Sequence, residues 1–311
     1  MSDDFDNLFP TGATTRKGLL SAFGRRAAQS VPIPDLPGGR TPEDEFFDEE
    51  PPDHVEPLLD GEDFVAEVRE SNAETGMHIW WLGQSGFLVQ IAGESVVLDP
   101  YLSDSLSPER LRITGLVAQP EQLAFVDAVV SSHSHADHLD PGTLPGVLSG
   151  AASFVCAAGI EDLAGERAGG RSPDASLAPG EAEAVGGFVI CAIPAYHEGA
   201  PEAVGYVIRS GAYAFYHAGD SRRVQGMAEA VAPHGVDVAF VPICGVNGVM
   251  NGADAARLAY EAGAQVAIPC HYEMFRDDTA GVSRFVAECV RLGQEYRLPR
   301  VGERVTIDYG Y

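Results

Sequence analysis

The sequence has little that would suit a disulfide-bonded secreted protein or a membrane protein. Its five cysteines, at positions 156, 191, 244, 270 and 289, are scattered, and none forms a C-x-x-C pair. This pattern argues against a disulfide framework and predicts reduced thiols in a cytoplasmic protein. No apolar run approaches the length of about 18 residues that a membrane-spanning helix needs. The acidic first residues, with no apolar stretch after Arg25–Arg26, also predict that there is no signal peptide.

Basic residues are scarce beside the acidic ones. The chain has 20 lysines and arginines against 46 aspartates and glutamates, a formal net charge of −26. Such a surface repels phosphate backbones and anionic lipid headgroups, so we expect neither nucleic acid nor a membrane surface as a partner. Hydrophobic residues make up 45% of the chain, which is enough for a sizeable core and predicts a folded protein.

The negative charge is concentrated near the N-terminus. Residues 1–76 hold 18 acidic and 6 basic side chains, a net charge of −12, and the stretch from Glu43 to Asp63 contains eleven acids and no lysine or arginine. Prolines 32, 34, 37, 42, 51, 52 and 57 interrupt the same region. Proline and dense like charge both oppose regular structure. We therefore predict an acidic, proline-rich and largely irregular arm over residues 1–76, and a single folded domain over residues 77–311.

Two interpretations of this arm stay open. It is either a solvated tail or a segment that its apolar residues hold against the domain or against a second subunit. In the second case the contact residues are Phe46, Phe47, Leu58 and Leu59. The arm would then be a candidate for exchange within a homo-oligomer. Helices are predicted near residues 18–28 and at about 62–70, the second one leading into the domain.

From Met77 onward the sequence is typical of short strands separated by glycines and polar turns. The strand-like stretches are 77–82, 87–91, 95–99, 125–132, 153–158, 187–196, 204–210, 212–218, 236–243 and 265–271. Two amphipathic helices are predicted, one from Asn251 to Gly263 and one ending at Gly293. The buried stripe of the second is predicted to be Val282, Phe285, Val286, Cys289 and Val290. Many strands and few helices indicate two packed sheets with helices outside.

The densest cluster of chemical groups lies at residues 131–140, SSHSHADHLD, directly after an apolar strand. His133 and His135 are two residues apart, so in extended backbone their side chains point the same way and can bind one metal ion. Asp137 and His138 follow where the chain turns, and can face a second ion. Three imidazoles and a carboxylate within six residues neither pack as apolar groups nor help a turn. The cluster therefore predicts a metal site.

Further ligands stand at the ends of other apolar strands. His197 follows CAIPAY, Asp220 follows YAFYHAG, and His271 follows VAIPC. With these residues two sites are complete, one formed by His133, His135 and His197, the other by Asp137, His138 and His271, with Asp220 bridging the two ions. Each ion then has three or four protein ligands and an open position for water, which is typical of a catalytic centre.

Other polar and aromatic residues are weaker candidates. His217 adjoins Asp220 and is predicted to orient a metal ligand. Candidates for contact with a substrate, each equally well explained as an ordinary loop side chain, are Tyr101, Tyr196, Glu198, Asn247, Tyr272 and Glu273. Histidines predicted to lie outside the metal site are His54, His78 and His234. Trp80 and Trp81 are predicted to be core aromatic residues, and Cys244 and Cys270 to be buried structural thiols.

The HSHADH cluster, His197, the Gly219–Asp220 pair and His271 match, in order, the metal motifs of the metallo-β-lactamase fold superfamily. Within that superfamily, WWLGQSGFLV (80–89), YHAGDS (216–221) and MNGADAARLAYEAGAQVAIPCHYEMF (250–275) resemble the L-ascorbate-6-phosphate lactonase family. The likeness covers roughly residues 77–290. It implies an α/β (α+β) fold, an αββα sandwich of two mixed sheets with helices outside, and a zinc- or manganese-dependent hydrolase. The chain lacks the long insertion that this family carries before its HxHxDH loop.

The expected reaction is a hydrolysis. Two divalent ions, zinc or manganese with iron as a further candidate, would share a bridging hydroxide that attacks a small lactone or ester, phosphorylated or not. Asp137 is expected to orient the hydroxide and to carry a proton to the leaving group. The positive charge of two ions would permit an anionic substrate in spite of the acidic surface.

Two alternatives stay open. The opening WLGQSGFLV…DPYLSDS also resembles the N-acylphosphatidylethanolamine phospholipase D branch, which makes a phosphodiesterase the rival enzyme. The second alternative is a non-catalytic metal-binding or sensor protein on the same scaffold.

Overall fold

The apolar stretches from Met77 onward form strands, as their runs of β-branched and aromatic residues predict. The computed structural model describes residues 53–276 and 280–309. Within that part of the chain the strands are β1 (Met77–Gly83), β2 (Gly86–Ile91), β3 (Glu94–Leu98), β4 (Ala128–Ser131), β5 (Ser153–Ala157), β6 (Ala175–Leu177), β7 (Ala182–Val185), β8 (Phe188–Pro194), β9 (Val204–Ser210), β10 (Tyr213–His217), β11 (Val238–Pro242), β12 (Val266–Cys270), β13 (Glu295–Tyr296) and β14 (Arg304–Ile307).

The strands of the described residues form two sheets of seven strands each. The first has the order β14-β1-β2-β3-β4-β5-β6, and the second has the order β13-β12-β11-β10-β9-β8-β7. In the first sheet the pairs from β14 to β3 are antiparallel and those from β3 to β6 are parallel. In the second the pairs from β7 to β10 are antiparallel and those from β10 to β13 are parallel. The predicted pair of mixed sheets is confirmed.

The core lies between the two sheets and under the helices. Phe87 of β2 stacks on Phe240 of β11 with ring centroids 4.1 Å apart, which joins the sheets face to face. Strands β1, β2, β4, β11 and β12 are buried at every position. Strands buried on both faces belong to sheets that are covered on both sides. Trp80 and Trp81 of β1 are part of this core, as predicted.

The helices are α1 (Gly61–Glu70), α2 (Leu144–Val147), α3 (Glu161–Arg167), α4 (Met227–Val231), α5 (Gly252–Glu261) and α6 (Ser283–Leu292). Helix α5 begins as predicted, because Asn251 Oδ1 accepts hydrogen bonds from the backbone N–H groups of Ala253 and Asp254. It contacts strands β11 and β12 and packs against α6. On the first sheet, Phe64 of α1 meets the Trp80 ring edge-on. The helices therefore lie outside the sheets.

Of the predicted buried stripe of α6, Phe285 and Cys289 are buried, Val282 and Val286 are half-buried, and the prediction is wrong at Val290. Val290 is 64% exposed, whereas Glu288, two residues earlier, is buried. The carboxylate takes the inner position because it accepts hydrogen bonds from Arg257 of α5 and from Arg291. Cys289 is fully buried, as predicted.

Residues 53–60 run along the folded domain. The backbone of Val55 donates to Ile113 O at 2.9 Å and accepts from Gly115 N, and Leu58 N donates to Val301 O at 2.7 Å. The apolar side chains predicted to hold the arm contribute less, since Leu58 is 45% exposed and Leu59 is half-buried. Phe46, Phe47 and the helix predicted near 18–28 lie outside the described residues. The division of the chain at residue 76 stays a prediction.

All five cysteines are buried, and none of them forms a disulfide. Among the described residues, no helix has both the length and the apolar character that crossing a bilayer requires.

Candidate metal centre

The strand directions bring the predicted ligands to one rim of the sandwich. In the second sheet β8, β10 and β12 run in the same direction, so the residues that follow them meet at one edge. His197, Asp220 and His271 follow these three strands. The loop that carries His133 to His138 follows β4 of the first sheet. The two sheets therefore contribute donors to a single region.

The first donor group combines both sheets. One ligand atom from each of four side chains lies within 4.8 Å of the others, and the four are His133, His135, His197 and Asp220. His135 Nδ1 is 3.1 Å from His197 Nε2, and that nitrogen is 3.8 Å from Asp220 Oδ2. Three imidazole nitrogens and one carboxylate oxygen at this spacing match a tetrahedral site for a divalent ion.

The second donor group adjoins the first. Ligand atoms of Asp137, His138 and His271 also lie within 4.8 Å of one another. Asp220 Oδ2 is 3.3 Å from His138 Nε2 and 3.1 Å from His271 Nε2. This carboxylate therefore stands between the two groups, and its role as a bridging ligand stays a prediction.

Asp99 lies directly behind these donors, and the sequence analysis missed it. It follows β3 and is fully buried, and its Oδ2 accepts hydrogen bonds from His138 Nδ1 at 2.7 Å and from Ser132 Oγ at 2.6 Å. His217 Nε2 donates to the same oxygen at 2.9 Å. His217 therefore reaches the donor groups through Asp99 rather than by touching a predicted ligand.

Asp99 also fixes the tautomers of two predicted ligands. Because His138 Nδ1 donates to it, the Nε2 atom of a neutral His138 carries the lone pair that faces Asp220. Ser132 Oγ donates its proton to Asp99, so in its contact with His133 Nδ1, 3.0 Å away, the hydroxyl oxygen must accept the hydrogen bond and Nδ1 must carry the proton. The Nε2 atom of a neutral His133 is then unprotonated and carries a lone pair, like that of His138. Such hydrogen bonds to the far nitrogen are a common device for orienting metal-binding histidines.

The buried carboxylates and imidazoles of the donor groups shift each other's pKa values. Burial would raise the pKa of Asp220, but the neighbouring His271 and His138 hold it well below its ordinary value. Burial would lower the pKa of His138, but Asp220, Asp137 and Asp99 raise it well above its ordinary value. Without metal, protons on imidazoles must balance the buried carboxylates, and a divalent ion can replace those protons.

Unsatisfied atoms in the same place fit this interpretation. His133 Nε2, His138 Nε2 and Asp220 Oδ1 are buried and make no hydrogen bond. Buried polar atoms are nearly always bonded to something, so atoms left over in one cluster point to a missing partner. Nitrogen and carboxylate oxygen are both good donors for zinc, manganese or iron. The residues present therefore fit a metal centre.

Two loops around the donors have backbone conformations with positive φ. His271 has φ +59°, in the left-handed region that residues with a Cβ rarely adopt, and its N–H donates to Gln84 O. Gln84 Nε2 donates in turn to Asp137 Oδ2 at 2.7 Å. At Gly219, with φ +56°, a Cβ would lie 2.9 Å from Ser132, so only glycine lets the Asp220 loop approach the β4 loop this closely.

A cleft of about 410 Å³ opens over both donor groups. It is lined by Arg110, His135, Asp137, His197, Glu198, Gly199, Asp220, Cys244, Val246, Asn247, Val249 and His271. Two predicted substrate contacts, Glu198 and Asn247, are in this wall. Arg110 is there too, although nothing in its local sequence indicates it.

The other four predicted substrate contacts are not in the wall of the cleft. Tyr272 is buried and stacks on Trp81 with centroids 4.6 Å apart, and Tyr101 is buried against Phe275. Tyr196, 43% exposed, and Glu273 lie outside the lining as well. Cys244 and Cys270 are buried thiols, as predicted.

The comparison with known families agrees with the fold and the rim site. The family described as Beta-lactamase superfamily domain matches residues 78–271, which include every predicted ligand. The chain belongs to the metallo-β-lactamase superfamily. A UPF0173 metal-dependent hydrolase of Aeropyrum pernix is 30% identical to it over 250 residues, 74% of this chain and 97% of that protein. The chain is thus a metal-dependent hydrolase of this superfamily, and the narrower likeness to the L-ascorbate-6-phosphate lactonases stays a prediction.

Solved structures share the fold of this superfamily member. Igni18, a metallo hydrolase of Ignicoccus hospitalis, has a TM-score of 0.61 and 24% identity, covering 76% of this chain and all of that one. An isothiocyanate hydrolase from Delia radicum gut bacteria has a TM-score of 0.61 and 18% identity, covering 74% and 99% of the two chains. At these identities the likeness shows the fold alone.

Proposed function

We propose that this protein hydrolyses a lactone or ester bond of a small molecule at a centre of two divalent metal ions. One ion would be held by His133, His135, His197 and Asp220, and the other by Asp137, His138, His271 and Asp220. The observation that carries the proposal is the position of Asp220 Oδ2, between two complete donor groups beneath an open cleft. A structural metal site would be closed by protein ligands on all sides.

When bound, zinc or manganese ions (or iron) would make water a nucleophile near neutral pH and polarise the scissile carbonyl. The protein's own residues do the rest. Asp99 and Ser132 hold the imidazoles of His138 and His133, so that their Nε2 atoms point at the centre. Asp137 lies in the cleft wall with Oδ2 bonded to Gln84, where its carboxylate can orient water and carry a proton to the leaving group.

A second candidate reaction is the cleavage of a phosphodiester. Arg110 favours it, because a guanidinium in the cleft wall can balance the phosphate charge that an ester lacks.

The experiment combines metal analysis with a substrate panel. The full chain, purified without added metal and then loaded with zinc or manganese, should bind about two ions and hydrolyse lactones or p-nitrophenyl esters faster than bis-p-nitrophenyl phosphate. The reverse order of rates would favour the phosphodiesterase. Two bound ions without turnover of any compound would contradict the proposed reaction.

Single substitutions test the ligand assignment. His133→Ala and Asp220→Ala remove donors of the proposed centre, so we expect bound metal to fall and activity to drop by at least about 100-fold. His135→Ala, at a less buried position, covers the case in which the other two variants do not fold. His54→Ala is the matched control, because His54 is exposed and lies away from the cleft. Intact metal content and activity in all three site variants would disprove the assignment.

A further inference from the structure

Arg110 is held in the wall of the cleft by its surroundings. Its guanidinium carbon lies 4.1 Å from the centre of the Phe275 ring, a cation–π contact with a fully buried aromatic residue. Phe275 packs in turn against Tyr101, Met274 and Leu106. The charged end of Arg110 therefore rests on a fixed apolar surface.

The backbone that carries Arg110 is also fastened to the site. Residues 99–127 join β3 to β4, and Arg112 Nη1 donates to the carbonyl oxygens of Tyr101 and Ser103 at 2.9 and 3.2 Å. Ile113 N donates to Met274 O, three residues after His271. The Arg112 bonds brace this connection internally, and the Ile113 bond ties it to the segment that follows His271, a predicted ligand. Arg110 is thus positioned before any substrate arrives, which reduces the entropy lost on binding.

Arg110 differs in charge from the carboxylates that line the cleft. The other charged residues of the cleft apart from histidine are Asp137, Asp220 and Glu198, so Arg110 is the one lysine or arginine in the described lining. Asp137 and Asp220 belong to the proposed metal donors, whereas Arg110 belongs to neither donor group. A guanidinium offers a planar pair of donors that matches the two oxygens of a carboxylate or phosphate.

We propose that Arg110 forms an anion subsite, which binds a carboxylate or phosphate group of the substrate while the scissile bond lies over the donor groups. This inference rests on the proposed hydrolase function and narrows it to anionic lactones or esters. The cleft volume suits a small molecule with two such ends. In a protein of net charge −26, a local cation of this kind is what allows an anionic substrate to be selected.

The test compares matched neutral and anionic substrates. One pair is p-nitrophenyl butyrate with mono-p-nitrophenyl glutarate, and the other is δ-gluconolactone with its 6-phosphate. Arg110→Gln should lower the preference in kcat/KM for the anionic member by about 10- to 100-fold, mostly through KM, because a charge-assisted hydrogen bond is lost. The pair with the larger change identifies the bound group. An unchanged preference, or an equal loss for both members of each pair, would overturn the proposal.

Two further variants serve as a conservative substitution and as a control for this test. Arg110→Lys keeps the charge but not the planar pair of donors, so an intermediate preference is expected, and it serves if Arg110→Gln does not fold. Arg297→Gln removes an exposed arginine that pairs with Glu295, outside the cleft lining, and should keep the wild-type preference.

An equilibrium measurement separates this proposal from the hydrolase function. Titration calorimetry of the zinc-loaded protein with glutarate and with 6-phosphogluconate needs no turnover. Weaker binding of either anion to Arg110→Gln than to Arg297→Gln would support the subsite even if the wild-type chain hydrolysed no ester or lactone. Equal affinities of both anions for the two variants would refute it.

Discussion

Asp99 connects the strand core to both donor groups. It receives hydrogen bonds from His138, His217 and the Ser132 hydroxyl on one oxygen, and from the Ser132 backbone on the other. Burial alone would raise the pKa of this carboxyl, but His217 and His138 lower it strongly, so Asp99 is ionised. Its negative charge is separated from the proposed metal centre by the imidazole ring of His138. Its hydrogen bond with Nδ1 of that ring makes His138 a better electron donor.

Replacing Asp99 with Asn should weaken metal binding without changing side-chain size. An amide can accept fewer hydrogen bonds than a carboxylate. If its NH₂ group faces the N–H groups of His138 and His217, two donors face each other, so the tautomer of His138 is no longer fixed. We expect metal affinity to fall about 10- to 100-fold. Competition with a chromogenic chelator measures this affinity directly.

Asp127→Asn is the control for that experiment. Asp127 precedes β4 and its carboxylate accepts hydrogen bonds from the backbone and hydroxyl of Ser95, at the opposite end of the strands from the donors. Both variants remove a carboxylate that bonds a serine, but only Asp99 touches the imidazoles. If the two lowered metal affinity equally, the role assigned to Asp99 would be wrong.

The sequence indicates which residues stand at strand ends, but it does not indicate what their side chains face. The same pattern, a polar residue after an apolar strand, picked out His197, Asp220 and His271 and also fits Asp99. Nothing local distinguishes a ligand from a residue that orients one. Gln84 and Arg110 reach the site through contacts with residues far away in the chain, so no spacing reveals them.

At the scale of elements, α5 and α6 pack together on the second sheet with a charged group in their contact. Glu288 Oε1 accepts from Arg257 Nε at 2.6 Å and from Arg291 Nη2 at 2.7 Å. The hydrogen bonds from Arg291 and then Arg257 lower the pKa of Glu288, although burial opposes them. A carboxylate therefore fastens two helices whose facing sides are otherwise apolar.

Glu288→Gln should lower the free energy of unfolding by about 1 kcal/mol at pH 7, a modest figure because both arginines are largely exposed. Since the folded-state pKa lies below its ordinary value of 4.5, the contribution of the charge is present above that value and is lost as the pH falls through the lowered pKa. Urea unfolding at pH 7 and at about pH 3.5 should show the difference between variant and wild type shrinking in acid.

Glu261→Gln provides the comparison for Glu288. Glu261 pairs with Arg223, and its side chain is 43% exposed against 9% for Glu288, so a smaller loss is expected. If the difference in the free energy of unfolding between Glu288→Gln and the wild type did not change with pH, packing rather than the charge would hold the helices together.

Elements with strong apolar patterns were predictable, and short polar ones were not. All ten predicted strand stretches contain strands, and the Asn251 cap starts α5 as predicted. The strands missed are β6, β7, β13 and β14, with the sequences ASL, AEAV, EY and RVTI. These segments are extended because the edge of a neighbouring strand offers hydrogen bonds, which is a property of the assembled sheet and not of their own residues.

At the scale of the whole molecule, residues 53–60 add an outer layer to the domain. A chain that starts at Gly61 would lose the backbone bonds of Val55 and Leu58 and the contact of Pro57 with Gly115. We expect it to be less stable than a chain starting at Asp53 by about 1–3 kcal/mol. Urea unfolding of these two truncated chains, beside the full chain, measures the difference, and equal stabilities would show that these bonds contribute nothing.

Strand β14, at residues 304–307, forms its pairs with β1, at residues 77–83. During translation at about 5–20 residues per second, β1 therefore waits roughly 10–45 s for its partner. For that time its outer edge can pair with other chains. Synthesis of β14, rather than emergence of the metal-binding loops, sets the earliest moment at which the first sheet is complete. Nascent chains stalled before residue 304 should consequently be the species that chaperones retain.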